Sequence, residues 1–119
     1  MPALYKLAVS DRIEFDVKFT LNDGGVEKPF GMRMAARRQV LTEQEQEMRE
    51  GAVVKEFLAG RGLEMTAWIG KSPLVMEDGK PVPAGDAALQ ALYELVGGMV
   101  SLVFAHYLQA NGAKGRSGN

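Results

Sequence analysis

The alternation of apolar and polar positions is strongest between Ile13 and Val40. In Ile13-Glu14-Phe15-Asp16-Val17-Lys18-Phe19-Thr20-Leu21 every odd position is apolar and every even one polar. A side-chain period of two puts these apolar groups on one face of a strand. Asn22-Asp23-Gly24-Gly25 follows, with glycines that can take φ > 0. Val26, Phe30, Met32, Met34, Ala36 and Val40 then fall on even positions, as a return strand with one buried face requires. The pattern predicts a long antiparallel hairpin over about 13–40. A turn centred on Asp23-Gly24 would set Leu21 against Val26, Val17 against Phe30, Phe15 against Met32 and Ile13 against Met34. Glu14 would then face Arg33 on the outer side. Pro29 cannot donate a ladder hydrogen bond, so it predicts an open edge or a bulge at that point.

After the hairpin the period changes. Thr42 with Glu45 forms a capping box, and Glu43, Glu45 and Glu47 load the positive end of a helix dipole. Met48, Ala52, Val53, Phe57 and Leu58 keep helical spacing, and Gly60-Arg61-Gly62 offers a glycine C-cap. This predicts a helix over about 42–59 that covers the apolar face of the hairpin. Leu63 to Ile69 reads as a short strand or an irregular packed segment, and Leu74 to Val82 as a small second hairpin turning at Asp78-Gly79. Asp86 is placed as an N-cap for helical sequence over about 87–110, interrupted at Gly97-Gly98. Leu89, Leu92, Tyr93, Val96, Val100, Val103, Phe104 and Tyr107 form its main stripe. Leu95, Met99, Leu102 and Leu108 lie outside that stripe, leaving the last helix apolar nearly all round. Ala3 to Val9 fits an edge strand or a loose arm. Ala113 to Asn119 reads as a disordered polar tail, so residues 1–112 form one domain. The fold class expected is α+β: an antiparallel sheet built on the first hairpin, with helices on one face.

Composition narrows the class. The chain has 119 residues, 46% hydrophobic and 24% charged, enough for one core without metal or disulfide support. Fourteen Lys and Arg against fifteen Asp and Glu give a net charge of −1, without the basic excess of a non-specific nucleic-acid binder. Zero cysteines exclude disulfides and thiolate chemistry and fit a reducing compartment. The apolar run Leu95 to Ala105 falls short of the ~20 residues that span a bilayer. A cytoplasmic protein is expected.

Catalytic chemistry has little to stand on. His106 is the only histidine and has no carboxylate within a helical turn. Gly70-Lys71-Ser72 resembles the end of a phosphate loop. However, the glycine such a loop needs five residues earlier is Met65, and Pro73 follows where a helix should start. Neither catalytic residues nor a cofactor or metal site is assigned. Arg33, Arg37 and Arg38 form a basic edge, read as solvated strand charge rather than as a nucleic-acid contact.

From Phe57 onward one order of residues stands out. Phe57-Leu58 ends a helix. Trp68 follows, then Gly70, Val75, the acidic turn Asp78-Gly79, Pro81-Val82-Pro83 and a Leu-rich helix from Leu89, with a glycine-rich tail closing on Gly118-Asn119. This resembles the small tail assembly chaperones of long-tailed bacteriophages and prophages. It departs from them at Ala67, where an acidic residue is common, and at Ala84-Gly85-Asp86, where an aromatic and a hydroxyl N-cap are common. The resemblance implies a non-enzymatic protein that coats the tape measure protein and recruits tail tube subunits before assembly, in the bacterial cytoplasm. Trp68, Leu95, Met99 and Leu102 are the candidate partner-binding residues, because tryptophan and surplus apolar helix positions suit a contact surface. A homo-oligomer is compatible with the same surplus. Other classes consistent with the sequence are a tail-completion or connector subunit, and a small regulatory nucleic-acid binder.

Overall fold

The computed structural model describes residues 5–39 and 54–115. Among the described residues the fold is α+β, with three antiparallel strands and three helices. Strand β1 (Arg12–Asp23) and strand β2 (Val26–Arg37) form the hairpin, and β3 (Glu64–Ile69) pairs with the other side of β2. The helices are α1 (Val54–Gly60), α2 (Asp86–Leu95) and α3 (Met99–Asn111).

The hairpin register differs from the expected one. Val17 faces Met32 and Phe15 faces Met34, with Asp23 and Val26 as the closing pair. Gly24 and Gly25 therefore occupy the two central turn positions, with φ of 61° and 95°. A two-residue turn matching strand twist needs positive φ at both positions, which glycine takes at lower cost than Asp23 would. The Gly25 N–H also donates to Asn22 Oδ1 at 2.9 Å. The shift is by two residues, so the apolar faces stay matched and Ile13, Val17, Met32, Met34 and Ala36 are all buried. Arg33 now faces Asp16 rather than Glu14, and the two form an exposed ion pair at 3.1 Å.

β3 resolves the Leu63–Ile69 ambiguity in favour of a strand. It pairs with β2 from Gly31 to Ala35, with a bulge between Arg33 and Met34. Pro29 lies beyond the end of β3, on the open part of the β2 edge. Leu74–Val82 folds as a tight loop with a single bridge, Val75 to Pro81, and stays outside the sheet. The Thr42 capping box and the glutamates at 43, 45 and 47 lie outside the described residues, as do Met48, Ala52 and Val53. The end of the helix is as expected. Gly62 has φ +66°, its N–H donates to the Ala59 carbonyl, and the Leu63 N–H donates to the Leu58 carbonyl, a Schellman closure. Asp86 is the first residue of α2 and Gly85 takes the cap position, so the expected Asp86 cap is not formed.

The core lies between the inner face of the sheet and the helices. Phe57 and Leu58 of α1, Ala88, Leu89 and Leu92 of α2, and Met99, Val103 and Tyr107 of α3 pack with the hairpin residues and Met65. Phe57 sits edge-on to both Phe104 and Tyr107, at 5.8 and 6.1 Å between ring centres. The C-terminal end of α3 is tied to the end of β2 by polar bonds. Tyr107 Oη–H donates to the Arg37 carbonyl at 2.9 Å. The Asn111 side chain accepts from the Gln39 N–H and donates to the Gln39 carbonyl, at 3.0 and 3.1 Å. These bonds satisfy backbone groups where the ladder stops.

Candidate partner-binding surface

The four candidate contact residues do not form one patch of equal exposure. Leu95, the last residue of α2, is 72% exposed. Leu102 is half-buried and packs against the core. Met99 is 2% exposed and belongs to the core, so it offers no surface to a partner. Gly98 takes φ +79° at the cap of α3 and separates it from α2. Met99, Val103 and Tyr107 point inward together, four residues apart. Met99 also follows the buried Leu92 by seven residues, about two helical turns, so the helical count itself puts it on the inner face.

Trp68 stands on β3 opposite Met32, half-buried against the core. Its indole N–H donates to the Val82 carbonyl at 2.8 Å. That bond fastens the Pro81-Val82-Pro83 segment to the sheet. The loop between is held by Met76 N–H to the Lys80 carbonyl at 2.8 Å and Val82 N–H to the Leu74 carbonyl at 3.0 Å, with Gly79 at φ +85°. Val75 and Met76 at this loop are exposed, and with Leu95 they are the large apolar side chains that the second half of the chain, among the described residues, leaves in solvent. Of the other methionines, Met32, Met34 and Met65 are buried core residues, and Met48 lies outside the described residues. Val26, placed by the alternation on the buried face opposite Leu21, is instead exposed beside the hairpin turn, where it closes the turn with Asp23.

Among the described residues, clefts flank this frame, two of them well formed. The larger, 440 Å³, runs between the first half of β1 and the C-terminal half of α3. It is lined by Arg12, Glu14, Asp16, Arg38, His106 and Gln109 among others. His106 Nδ1 lies 2.9 Å from the Leu102 carbonyl; a carbonyl only accepts, so the proton sits on Nδ1. Arg12 bonds both Glu14 and Glu64 at 3.2 Å, and these hydrogen bonds hold its guanidinium above its usual pKa. The smaller cleft, 330 Å³, lies between α1 and α2, where Lys55 Nζ stands 5.6 Å from the Tyr93 ring centre. Burial, assisted by the charge of Asp86, pushes the Tyr93 phenol up to about 12.

The basic edge is engaged within the protein. Arg33 pairs with Asp16, Arg37 donates to the Gly60 carbonyl at 3.0 Å, and Arg38 donates to the Ser10 carbonyl at 2.9 Å. At Gly70-Lys71-Ser72 the Ser72 hydroxyl closes a local turn with Leu74, accepting its N–H at 3.1 Å and donating to its carbonyl at 2.9 Å. No helix follows there, so the backbone geometry of a phosphate loop is not present. Among the described residues no group of three or more His, Asp or Glu side chains is placed to hold a metal ion, and no helix is long and apolar enough to cross a membrane. Compared with protein families, curated proteins and solved structures, the chain matches none of them.

Proposed function

We propose that the protein is a non-enzymatic tail assembly chaperone of a long-tailed bacteriophage or prophage. It acts in the cytoplasm of the bacterial host, binding the tape measure protein and recruiting tail tube subunits. The observation that carries this reading is the Trp68–Val82 hydrogen bond. The resemblance rests on a loose order of residues, and its two most distinctive parts are the isolated tryptophan and the Pro-Val-Pro segment. Trp68 and Val82 stand fourteen positions apart in the chain, and the bond joins them as one structural unit. The bond gives the spacing between Trp68 and the Pro-Val-Pro segment a physical role in this chain.

The surface suits the role. A protein that coats a long helical partner needs apolar groups in solvent on a rigid frame, and Leu95, Val75 and Met76 supply them. Leu95 adjoins the α2–α3 break, and Met76 is an unbranched side chain able to repack against varied helices. The test is to follow the protein through tail assembly. A chaperone is found on assembly intermediates and is absent from finished particles. Recovery from finished particles in fixed copy number would contradict this reading and favour a tail-completion or connector subunit.

A further inference from the structure

The two edges of the sheet are not built alike. On the β3 side the edge strand is six residues long and carries a bulge, and the uncovered part of β2 contains Pro29. Short strands, bulges and prolines are the usual devices that stop a sheet from pairing with another chain. β1 has none of them. It runs for twelve residues in continuous register, without proline, glycine or bulge, and every inward side chain from Ile13 to Leu21 is apolar.

The ladder shows which groups of β1 are free. Arg38 N–H donates to the Asp11 carbonyl at 2.7 Å, and Arg37 N–H donates away from β1 to the Arg61 carbonyl at 2.8 Å. Odd residues of β1 therefore bond to β2. The N–H and C=O groups of Glu14, Asp16, Lys18, Thr20 and Asn22 face outward. Among the described residues no backbone group pairs with them.

We propose that this edge binds a second copy of the chain, β1 to β1, antiparallel across a two-fold axis at Val17, giving a continuous six-stranded sheet. The charge pattern selects the occupant and the register. With Val17 on the axis, Asp16 of each copy faces Lys18 of the other, Glu14 faces Thr20 and Phe15 faces Phe19. Moving the axis to Asp16 or Lys18 would put like charges directly opposite. A lysine in mid-strand ordinarily protects an edge; in this register each copy's lysine is met by a carboxylate. The interface is self-complementary, as a two-fold requires. The same register lays the partner's Lys18–Asn22 segment beside Arg12–Asp16, where the 440 Å³ cleft opens between β1 and α3. Phe19 and Leu21, half-buried in one copy, would then enter the cleft of the other.

The test is the mass of the full chain in solution across a concentration series. The wild type is expected to move from monomer to dimer. Lys18→Asp and Asp16→Lys each place like charges across both central pairs and should weaken the dimer about tenfold or more. Both positions are exposed, so Lys18→Asp should keep the wild-type circular dichroism. Asp16→Lys also loses the Arg33 ion pair and sets two cations across the hairpin, so its fold is checked by circular dichroism before its mass is read. Mixed in equal amounts, the two variants should form a heterodimer. One variant then carries acidic groups at both central positions and the other basic groups at both, so each central pair again joins opposite charges. A wild type that stays monomeric at all concentrations overturns the proposal, even if it binds a foreign extended peptide. A dimer indifferent to both variants also overturns it.

Discussion

The indole N–H of Trp68 and the carbonyl of Val82 meet at 2.8 Å and tie the loop after β3 to the sheet. Trp68→Phe keeps much of the apolar ring and removes the donor, leaving the Val82 carbonyl less well satisfied. The expected cost is about 1 kcal/mol, read as a lower urea midpoint by circular dichroism with an unchanged slope. The variant should also lose hydrogen-exchange protection at 74–82 before the sheet does, since those residues hang on this bond and a few local ones.

Tyr107 carries more. It is fully buried, touches Phe15 and Phe57 edge-on, and its hydroxyl serves the Arg37 carbonyl. Tyr107→Phe should cost about 1–2 kcal/mol through the lost bond, and Tyr107→Ala about 3–5 kcal/mol through the cavity. Chemical denaturation of the two variants separates the hydroxyl from the ring.

The hairpin turn can be improved. Gly24 and Gly25 both hold positive φ, and a Cβ at either would meet no neighbour. Asn-Gly is the pair that such a turn favours, so Gly24→Asn should stabilise by about 0.5 kcal/mol by restricting the unfolded chain. Gly25→Val should destabilise by about 1 kcal/mol or more, because a β-branched residue resists that φ. Thermal melts of the pair test the turn assignment and, with it, the register.

Alkaline pH should act through Tyr93. Burial, with Asp86 nearby, raises its phenol to about 12 in the fold against about 10 unfolded. The neutral form is favoured by folding. Its contribution is intact below pH of about 10 and is lost as pH rises toward about 12. Tyr93→Phe should flatten the fall in stability across that window, and tyrosinate absorbance of the wild type should show one late-titrating ring relative to the variant.

Much of the fold is legible because β1 alternates without exception and the glycines punctuate the helices. The register was missed by two residues because Asp-Gly and Gly-Gly are both turn pairs, and only backbone φ separates them. Two residues is also the smallest shift that leaves the apolar faces matched, so no burial signal opposes it. The contact surface was legible in part. Leu95 is exposed, as a residue outside the stripe should be, whereas Met99 is buried, one helical turn before the stripe residue Val103, and belongs to the stripe itself.

A chaperone of this kind must receive a long helical partner on the exposed apolar groups of its frame. Copurification decides this, with the tagged chain co-expressed beside the products of its neighbouring genes and Leu95→Asp run in parallel. The wild type should bring down one very long helical protein with several copies of itself. Leu95→Asp should lose that partner while keeping the wild-type melting temperature, because Leu95 contributes little to the core. Recovery of the wild type with no long partner, in every combination of those genes, would refute the chaperone role.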